Sequence, residues 1–181
     1  NGFAPSLHEK ELRRRFKGCE FVFVSDMGDL FGNFIPDEWI LKVISHVKNY
    51  PETYFLFLTK NPKRYFCFMD KFPQNVILGC TIETDRDANY RKISKAPLPS
   101  LRLEAMRRLE WEAKLISIEP ILDFSDSFSE KLIQLRPSIV YIGYDNYNHH
   151  LPEPPLAKTL SLMEKLKKAG ILVLEKTLRE R

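Results

Sequence analysis

The chain has 181 residues, with 28 Lys and Arg against 24 Asp and Glu, so its formal net charge is only +4. This length fits one folded domain, and we expect a single α/β domain over residues 1–181. The weak positive charge makes nucleic acid a poorly supported partner. No apolar run approaches the roughly 18 residues that a membrane span needs, so a membrane is not an expected partner.

Three cysteines, Cys19, Cys67 and Cys80, are present, and no CxxC spacing occurs. An odd count without that spacing excludes a disulfide framework and a zinc site of the usual type. We therefore expect reduced, mostly buried thiols in a cytoplasmic protein.

Six short apolar runs alternate with helical patterns along the chain. The runs are continuous and rich in β-branched or aromatic residues, as strands buried on both faces are. Starts about 30 residues apart are typical of parallel βα units. The strands are predicted at residues 21–24, 54–58, 76–78, 115–118, 139–142 and 171–174.

Helical patterns occupy the intervals between these runs. The capping-box spacing from Ser6 to Glu9 predicts a helix before the first strand. The order helix, then repeated strand and helix, then a last strand fits two architectures, an open doubly wound sheet and a full or partial βα barrel. The other helices are predicted from residues 36, 61, 100, 126 or 127, and 155.

Polar side chains follow every predicted strand, where ligands bind in parallel α/β folds. Many polar residues at such positions only cap helices, which accounts for Asn61. Glu83, Glu119 and Glu175 are poor caps, and with Lys60 they suit a polar ligand that carries hydroxyls and charges of its own. These strand ends carry Ser25, Asp26, Asp29, Thr59, Lys60, Asn61, Thr81, Glu83, Glu119, Gly143, Asp145, Asn146, Glu175 and Lys176.

Four segments resemble, in the same order, the motifs of a radical S-adenosylmethionine (SAM)-like protein family. They read VFVSDMGDLFGNFIPDEW, FLFLTKNPKRY, NVILGCTIET and LISIEPIL. That family is common in phages and prophages and is distantly related to spore photoproduct lyase. The resemblance covers nearly the whole chain. It implies a six-stranded, parallel, partial TIM-like (βα) barrel of the radical SAM type, and leaves open whether a first strand is missing.

The resemblance also implies cofactors. Members of that family are expected to hold a [4Fe–4S] cluster on a CxxxCxxC segment, and SAM binds the cluster and is cleaved to a 5′-deoxyadenosyl radical. No such segment occurs here. We expect SAM as the small-molecule cofactor, and the cluster only if a CxxxCxxC segment precedes Asn1, as the non-Met start favours. Without it we expect no catalysis, and we assign no catalytic or metal-binding residue.

The family motifs place SAM contacts at particular positions. The segment Ser25–Asp29 matches the part that meets the methionine amino group, although the usual Gly-Gly-Glu is absent. Thr81 and Glu83 match the strand that contacts ribose and carboxylate, Glu119 matches the next strand motif, and residues 143–148 lie in the place beside adenine. With Lys60, the predicted SAM-binding residues are Ser25, Asp26, Gly28, Asp29, Lys60, Thr81, Glu83, Glu119 and Asp145.

Two other functions stay open at this point. One is a non-catalytic βα-barrel module that binds a nucleotide-like ligand, or a partner protein at an uncovered sheet edge. The other is an unrelated βα-barrel enzyme that uses Lys60 or Lys176 together with the carboxylates. The adjacent pair His149–His150 is interpreted as part of a polar loop rather than a metal site, because neighbouring side chains diverge.

Overall fold

The computed structural model describes residues 4–147 and 149–179. Within them, six strands alternate with helices, and 3₁₀ helices lie at Glu11–Arg13 and Pro62–Phe68. The strands are β1 (Phe21–Val24), β2 (Tyr54–Thr59), β3 (Val76–Thr81), β4 (Lys114–Ile118), β5 (Ile139–Ile142) and β6 (Leu172–Glu175). The α-helices are α1 (Asp37–Val47), α2 (Tyr90–Ile93), α3 (Pro99–Arg108), α4 (Phe128–Gln134) and α5 (Leu156–Lys168).

The six strands form one sheet in the order β1-β2-β3-β4-β5-β6, and each neighbouring pair is parallel. A doubly wound sheet would reverse its strand order at some point, and this one does not. The sheet curls into a half-barrel. The prediction of a partial βα barrel with six parallel strands is therefore confirmed.

One face of the sheet is buried beneath the helices. On this face Phe57 of β2 pairs with Leu78 of β3, and Ile116 of β4 pairs with Val140 of β5. Each of these four side chains is at most 1% exposed. Each such side chain stabilises the fold by roughly 1.5–3 kcal/mol relative to an exposed one. The helices supply the other half of this core through Ile40, Ile44, Leu103, Met106, Leu132, Leu162, Met163 and Leu166.

The inner face of the half-barrel is covered only near its middle. There Leu115 is fully buried, whereas Phe21, Phe23 and Tyr54 at the β1 edge and Leu172 at the β6 edge are 41–56% exposed. Among the described strands β1 pairs only with β2 and β6 only with β5. Within the described residues, both outer strands of the sheet therefore have one unpaired edge, and apolar side chains flank each of these edges.

The first predicted helix does not form. Between residues 4 and 20 the structure has only the 3₁₀ helix Glu11–Arg13, and the Ser6 hydroxyl contacts the His8 ring at 3.2 Å. The capping box would instead have needed a bond from the Glu9 N–H to Ser6. The helix predicted from Asn61-Pro62 forms at that position, with Asn61 before it and Pro62 as its first residue, and it is a 3₁₀ helix, Pro62–Phe68.

The cysteine prediction was also wrong, because Cys19 and Cys67 are exposed and Cys80 alone of the three is buried. Over the ranges 4–147 and 149–179, the helices are all too short or too polar to cross a membrane.

Candidate functional site

The candidate site lies along the carboxyl rim, which we define as residues 25–29, 59–61, 81–83, 119 and 143–146. These residues lie at, or directly after, the carboxyl ends of β1 to β5. Since all five pairings are parallel, these strand ends lie at the same edge of the sheet. The nine residues selected from the sequence are therefore brought to one edge, and their contacts differ greatly.

Asp29 joins the loop after β1 to the end of β2. Its Oδ1 accepts hydrogen bonds from the Thr59 hydroxyl at 2.7 Å and the Phe31 N–H at 3.0 Å. Its Oδ2 accepts one from the backbone N–H of Lys60 at 2.9 Å. Both oxygens are thus bound by the protein itself, and Asp29 orders the rim between these strands.

The loop before Asp29 is open to solvent. Ser25, Asp26 and Gly28 are exposed, and the Met27 side chain is 95% exposed. Ser25 lies in the left-handed region with φ of 57°, and its carbonyl accepts the Gly28 N–H at 3.0 Å. A Cβ at Gly28 would meet nothing within 4 Å, so the backbone here is accessible to a ligand.

A buried ionic network connects β2, β3, α2 and α3. Glu83 is only 2% exposed, and its carboxylate lies 2.6 Å from Lys60 Nζ and 2.8 Å from Arg102 Nη1. The Tyr90 hydroxyl lies 3.1 Å from both Glu83 oxygens. Arg102 also donates to the Thr81 carbonyl at 2.6 Å. We refer to Lys60, Glu83, Tyr90 and Arg102 as the Glu83 network.

The Glu83 network has one more positive charge than negative charge. Burial by itself raises the pKa of the Glu83 carboxyl, but Lys60 and Arg102 outweigh it and hold that pKa below its ordinary value. Arg102 is fully buried, whereas 37% of the Lys60 side chain is exposed. Lys60 is therefore the cation of this network that an anionic ligand can reach.

Arg102 and Tyr90 were not found by reasoning from the sequence. On α3 the apolar side chain of Leu101 is 58% exposed, whereas the neighbouring Arg102 is 0% exposed. The guanidinium lies 5.0 Å from the centre of the Tyr90 ring. Its Nε and Nη2 lack a hydrogen-bond partner within the described part of the chain. A buried arginine that replaces an apolar residue on a helix face leaves no sequence signal in a single chain.

A second polar cluster lies at the ends of β4 and β5. The Asn146 side-chain amide donates to Glu119 Oε1 at 3.3 Å, and Glu119 has no ion pair among the described residues. Gly143 packs tightly here, because a Cβ at this position would lie 2.6 Å from Lys176 Cβ and 3.4 Å from Glu119 Oε1. The Lys176 ammonium lies 5.1 Å from the centre of the Tyr141 ring. Glu119 is thus a carboxylate that remains available to a ligand.

Asp145 has internal partners instead. It accepts hydrogen bonds from the backbone N–H groups of Tyr147 and His149 and lies 2.9 Å from His149 Nδ1. Burial raises the pKa of the Asp145 carboxyl, but these donors lower it to about 2. Asp145 therefore holds the turn after β5, and its predicted contact with SAM stays a prediction. Asn148, the last residue of that motif, lies outside the described residues.

The cysteines that are present do not fit a [4Fe–4S] cluster. Such a cluster needs at least three thiolates close together, whereas Cys80 is buried in β3 and Cys19 and Cys67 are exposed elsewhere. In the described part of the chain, no group of three or more His, Cys, Asp or Glu side chains is arranged to hold a metal ion. No step of a mechanism is therefore derived through a cluster.

Comparison with known proteins adds a family. Residues 4–135 match the model of a family described as protein of unknown function, DUF5131. No curated protein and no solved structure gives a significant match. The family description states no activity, so the resemblance to radical SAM proteins remains a hypothesis. The matched residues make up more than two thirds of the sequence and include β1 to β4, and the chain therefore belongs to the DUF5131 family.

Proposed function

We propose that this chain is the SAM-binding barrel portion of a radical enzyme and that SAM lies along the carboxyl rim. One observation supports this most strongly. An accessible cation, Lys60, and an available carboxylate, Glu119, follow strands that are separated by one strand in the same parallel sheet. Two strand spacings amount to about 9–10 Å, a span suited to an amino-acid chain joined to a ribose.

Each end of SAM has a partner in this arrangement. Lys60 pairs with the SAM carboxylate, since its ammonium group is both anchored by Glu83 and partly exposed. The Glu119 carboxylate accepts hydrogen bonds from the ribose hydroxyls. The open loop Ser25–Gly28 approaches the SAM amino group with its backbone and with Asp26. Asp29, Glu83 and Asp145 act indirectly, because their oxygens already have donors from the protein.

A [4Fe–4S] cluster would require a CxxxCxxC segment outside the described residues. When bound, such a cluster supplies the electron that cleaves SAM. The residues described here bind and orient the SAM molecule and keep its charged groups paired.

Equilibrium dialysis with SAM tests the proposal on the chain itself. We expect saturable binding that weakens at least tenfold in Lys60→Met and in Glu119→Gln, because each loses a charge-assisted hydrogen bond worth roughly 1.5–3 kcal/mol. Lys63→Met is the matched control, since it removes the same charge from an exposed position three residues away. Unfolding in urea confirms that all variants remain folded.

The outcome also separates the alternatives. Absence of SAM binding, or binding that neither variant weakens, contradicts the proposal. Equal affinity for SAM and for adenosine alone favours the non-catalytic module for nucleotide-like ligands, because the methionine portion then contributes nothing. Cluster dependence is tested separately on the complete gene product, by anaerobic iron incorporation.

A further inference from the structure

We propose that Arg102 is a positioning residue of the candidate site, which gives the site its preference for a negatively charged ligand group without touching the ligand. It acts through Glu83 on Lys60, the cation that we assign to the SAM carboxylate, so the inference rests on the proposed function. Three features support it, namely the sharing of the Glu83 carboxylate, the charge balance around Lys60, and two polar atoms of Arg102 that lack a partner among the described residues.

Glu83 divides its carboxylate between two cations that come from different elements. Its Oε1 lies 2.6 Å from Nζ of Lys60, which follows β2, and its Oε2 lies 2.8 Å from Nη1 of Arg102 on α3. The Glu83 and Arg102 side chains are buried, whereas Lys60 is partly exposed. Since both cations hold the same carboxylate, Arg102 competes with Lys60 for its negative charge.

The charges around Lys60 balance only when Arg102 is counted. Glu83 pairs with the Lys60 ammonium, and Asp29 accepts the Lys60 backbone N–H at 2.9 Å. With Arg102 present, two positive charges face two negative charges, whereas without it one positive charge is left with both carboxylates. A site with a net negative charge repels an anionic ligand, and burial strengthens this repulsion because water screens it less. Without Arg102, Lys60 would therefore be neutralised by the carboxylates of the protein itself.

Arg102 is a residue that stability alone does not explain. Its Nη1 donates to Glu83 and to the Thr81 carbonyl, but its buried Nε and Nη2 have no hydrogen-bond partner within residues 4–147 and 149–179. Buried polar atoms without partners destabilise a fold, and well-packed apolar side chains in place of a buried ion pair are often equally or more stable. A buried arginine with two such atoms indicates a use for its charge, and Glu83 connects that charge to Lys60.

The Arg102 guanidinium is charged but out of reach of a ligand. Burial acts to lower its pKa, but Glu83 and the other groups around it outweigh burial and hold the pKa above its ordinary value. The ring of Tyr90, whose centre lies 5.0 Å from the guanidinium carbon, covers it on one side. Because Arg102 is fully buried, it influences a ligand at the carboxyl rim only through Glu83 and Lys60.

Two ligands that differ only in one carboxylate test the proposal on the intact chain. SAM carries this group and decarboxylated SAM lacks it, and equilibrium dialysis measures the affinity for each. We expect Arg102→Met to lower the affinity for SAM by about tenfold, because one unit charge close to the site is lost, and to leave that for decarboxylated SAM unchanged or higher. General damage to the site would instead weaken both ligands. Arg102→Lys keeps the charge and should retain most of the preference for SAM.

Further variants show whether the effect is one of charge and depends on Lys60. Arg107→Met removes the same charge from an exposed position of α3, and Tyr90→Phe removes a neutral group that contacts Glu83. Neither should change the preference for the carboxylate. In the Lys60→Met background, Arg102→Met should have little further effect on SAM binding, because the cation through which it acts is already absent. Losses that simply add would contradict an effect through Lys60.

A chemical probe of Lys60 gives a readout that needs no SAM. A neutral and a sulfonated succinimidyl ester of acetate acylate the same amine, so the ratio of their rates at one lysine reports the charge around it. In Arg102→Met we expect the sulfonated ester to slow by about threefold relative to the neutral one at Lys60, because the positive charge that attracts it is lost. The ratio at the exposed Lys63 should not change. Mass spectrometry of the acetylated peptides measures both rates.

The outcomes distinguish this inference from the proposed function. If the parent does not bind SAM, the proposed function is wrong, and the labelling ratio alone decides the inference, since a fall at Lys60 supports it and an unchanged ratio overturns it. If the parent binds SAM but Arg102→Met weakens both ligands equally, Arg102 is only structural and the inference is wrong. Urea unfolding shows whether Arg102→Met is folded. Should it not fold, Arg102→Gln takes its place, because it keeps a donor for Glu83 without the charge.

Discussion

At the scale of single residues, the two cations of the Glu83 network depend on one buried carboxylate. Glu83→Gln leaves Arg102 buried without a counter-charge, and we expect it to lower the free energy of unfolding by about 3–5 kcal/mol. Lys60→Met should cost less, because Lys60 is partly exposed and Arg102 still neutralises Glu83. Urea unfolding followed by circular dichroism measures both losses.

Glu104 provides the control for Glu83. It pairs with Arg107 at 2.8 Å on the surface, where both side chains are at least half exposed. Exposed pairs contribute little to stability, so Glu104→Gln should change it only slightly. If Glu83→Gln were as mild as Glu104→Gln, the central role of the buried carboxylate would be wrong.

The same carboxylate makes stability depend on pH. The folded pKa of Glu83 is lower than its ordinary value of 4.5, so the unfolded chain binds the proton more readily. Its contribution is therefore complete above about pH 4.5 and is lost as the pH falls through the lower folded pKa. We expect the stability difference between the parent and Glu83→Gln to shrink below that pH, as measured by urea unfolding from pH 3 to 7. A difference that stays constant over this range would contradict the assignment.

Two glycines of the rim should respond differently to the same substitution. In Gly143→Ala the new Cβ would lie 2.6 Å from Lys176 Cβ, so the ends of β5 and β6 must separate at a cost of about 1–3 kcal/mol. Gly28→Ala meets no atom within 4 Å and should change stability by less than about 0.5 kcal/mol. Thermal unfolding of the two variants measures the contrast, and equal losses would contradict the packing described for Gly143.

At the scale of elements, one hydroxyl attaches the 3₁₀ helix Pro62–Phe68 to the sheet. The buried Tyr65 hydroxyl lies 2.9 Å from the Phe57 carbonyl on β2 and 2.8 Å from the Gly79 carbonyl on β3. Tyr65→Phe should lower the free energy of unfolding by about 1–2 kcal/mol, since it removes a buried donor and keeps the ring. Phe66→Leu, at a side chain that is 41% exposed, should have little effect. Equal effects in urea unfolding would disprove this attachment.

At the scale of the whole molecule, the sheet should be most stable in its centre. In the part of the chain that the structure describes, β3 and β4 have strand partners on both sides, whereas β1 and β6 have one each. We expect amide hydrogens in residues 76–81 and 114–118 to exchange slowest, and those of Phe21 and Phe23 to exchange fast, because they face the free edge. Hydrogen exchange with mass spectrometry measures this order. Protection of Phe21 and Phe23 as strong as that of β3 would mean that the edge is covered in solution.

The sequence by itself predicted the six strands and their parallel direction, and it left an open doubly wound sheet and a βα barrel as the possible strand orders. The ligand site at the carboxyl ends of the strands stays a prediction. Continuous apolar runs such as Tyr54–Leu58 report burial on both faces locally, and regular alternation with helices leaves few topologies. The polar residues after each run, including Lys60 and Glu119, follow directly from that order. The helix before β1 was predicted wrongly, because the capping-box spacing of Ser6 and Glu9 was not matched by a hydrogen bond between them.

Only the tertiary structure decided which polar groups remain available to a ligand. Asp29 meets Thr59 and Lys60 from some 30 positions away, and Arg102 meets Glu83 across 19 positions. These contacts depend on how far the strands twist and on the rotation of α3, which turned Arg102 inward and Leu101 outward. A pattern of residue types fixes where an element lies along the chain, but the pairing of its charges is set by packing against elements that are distant in sequence.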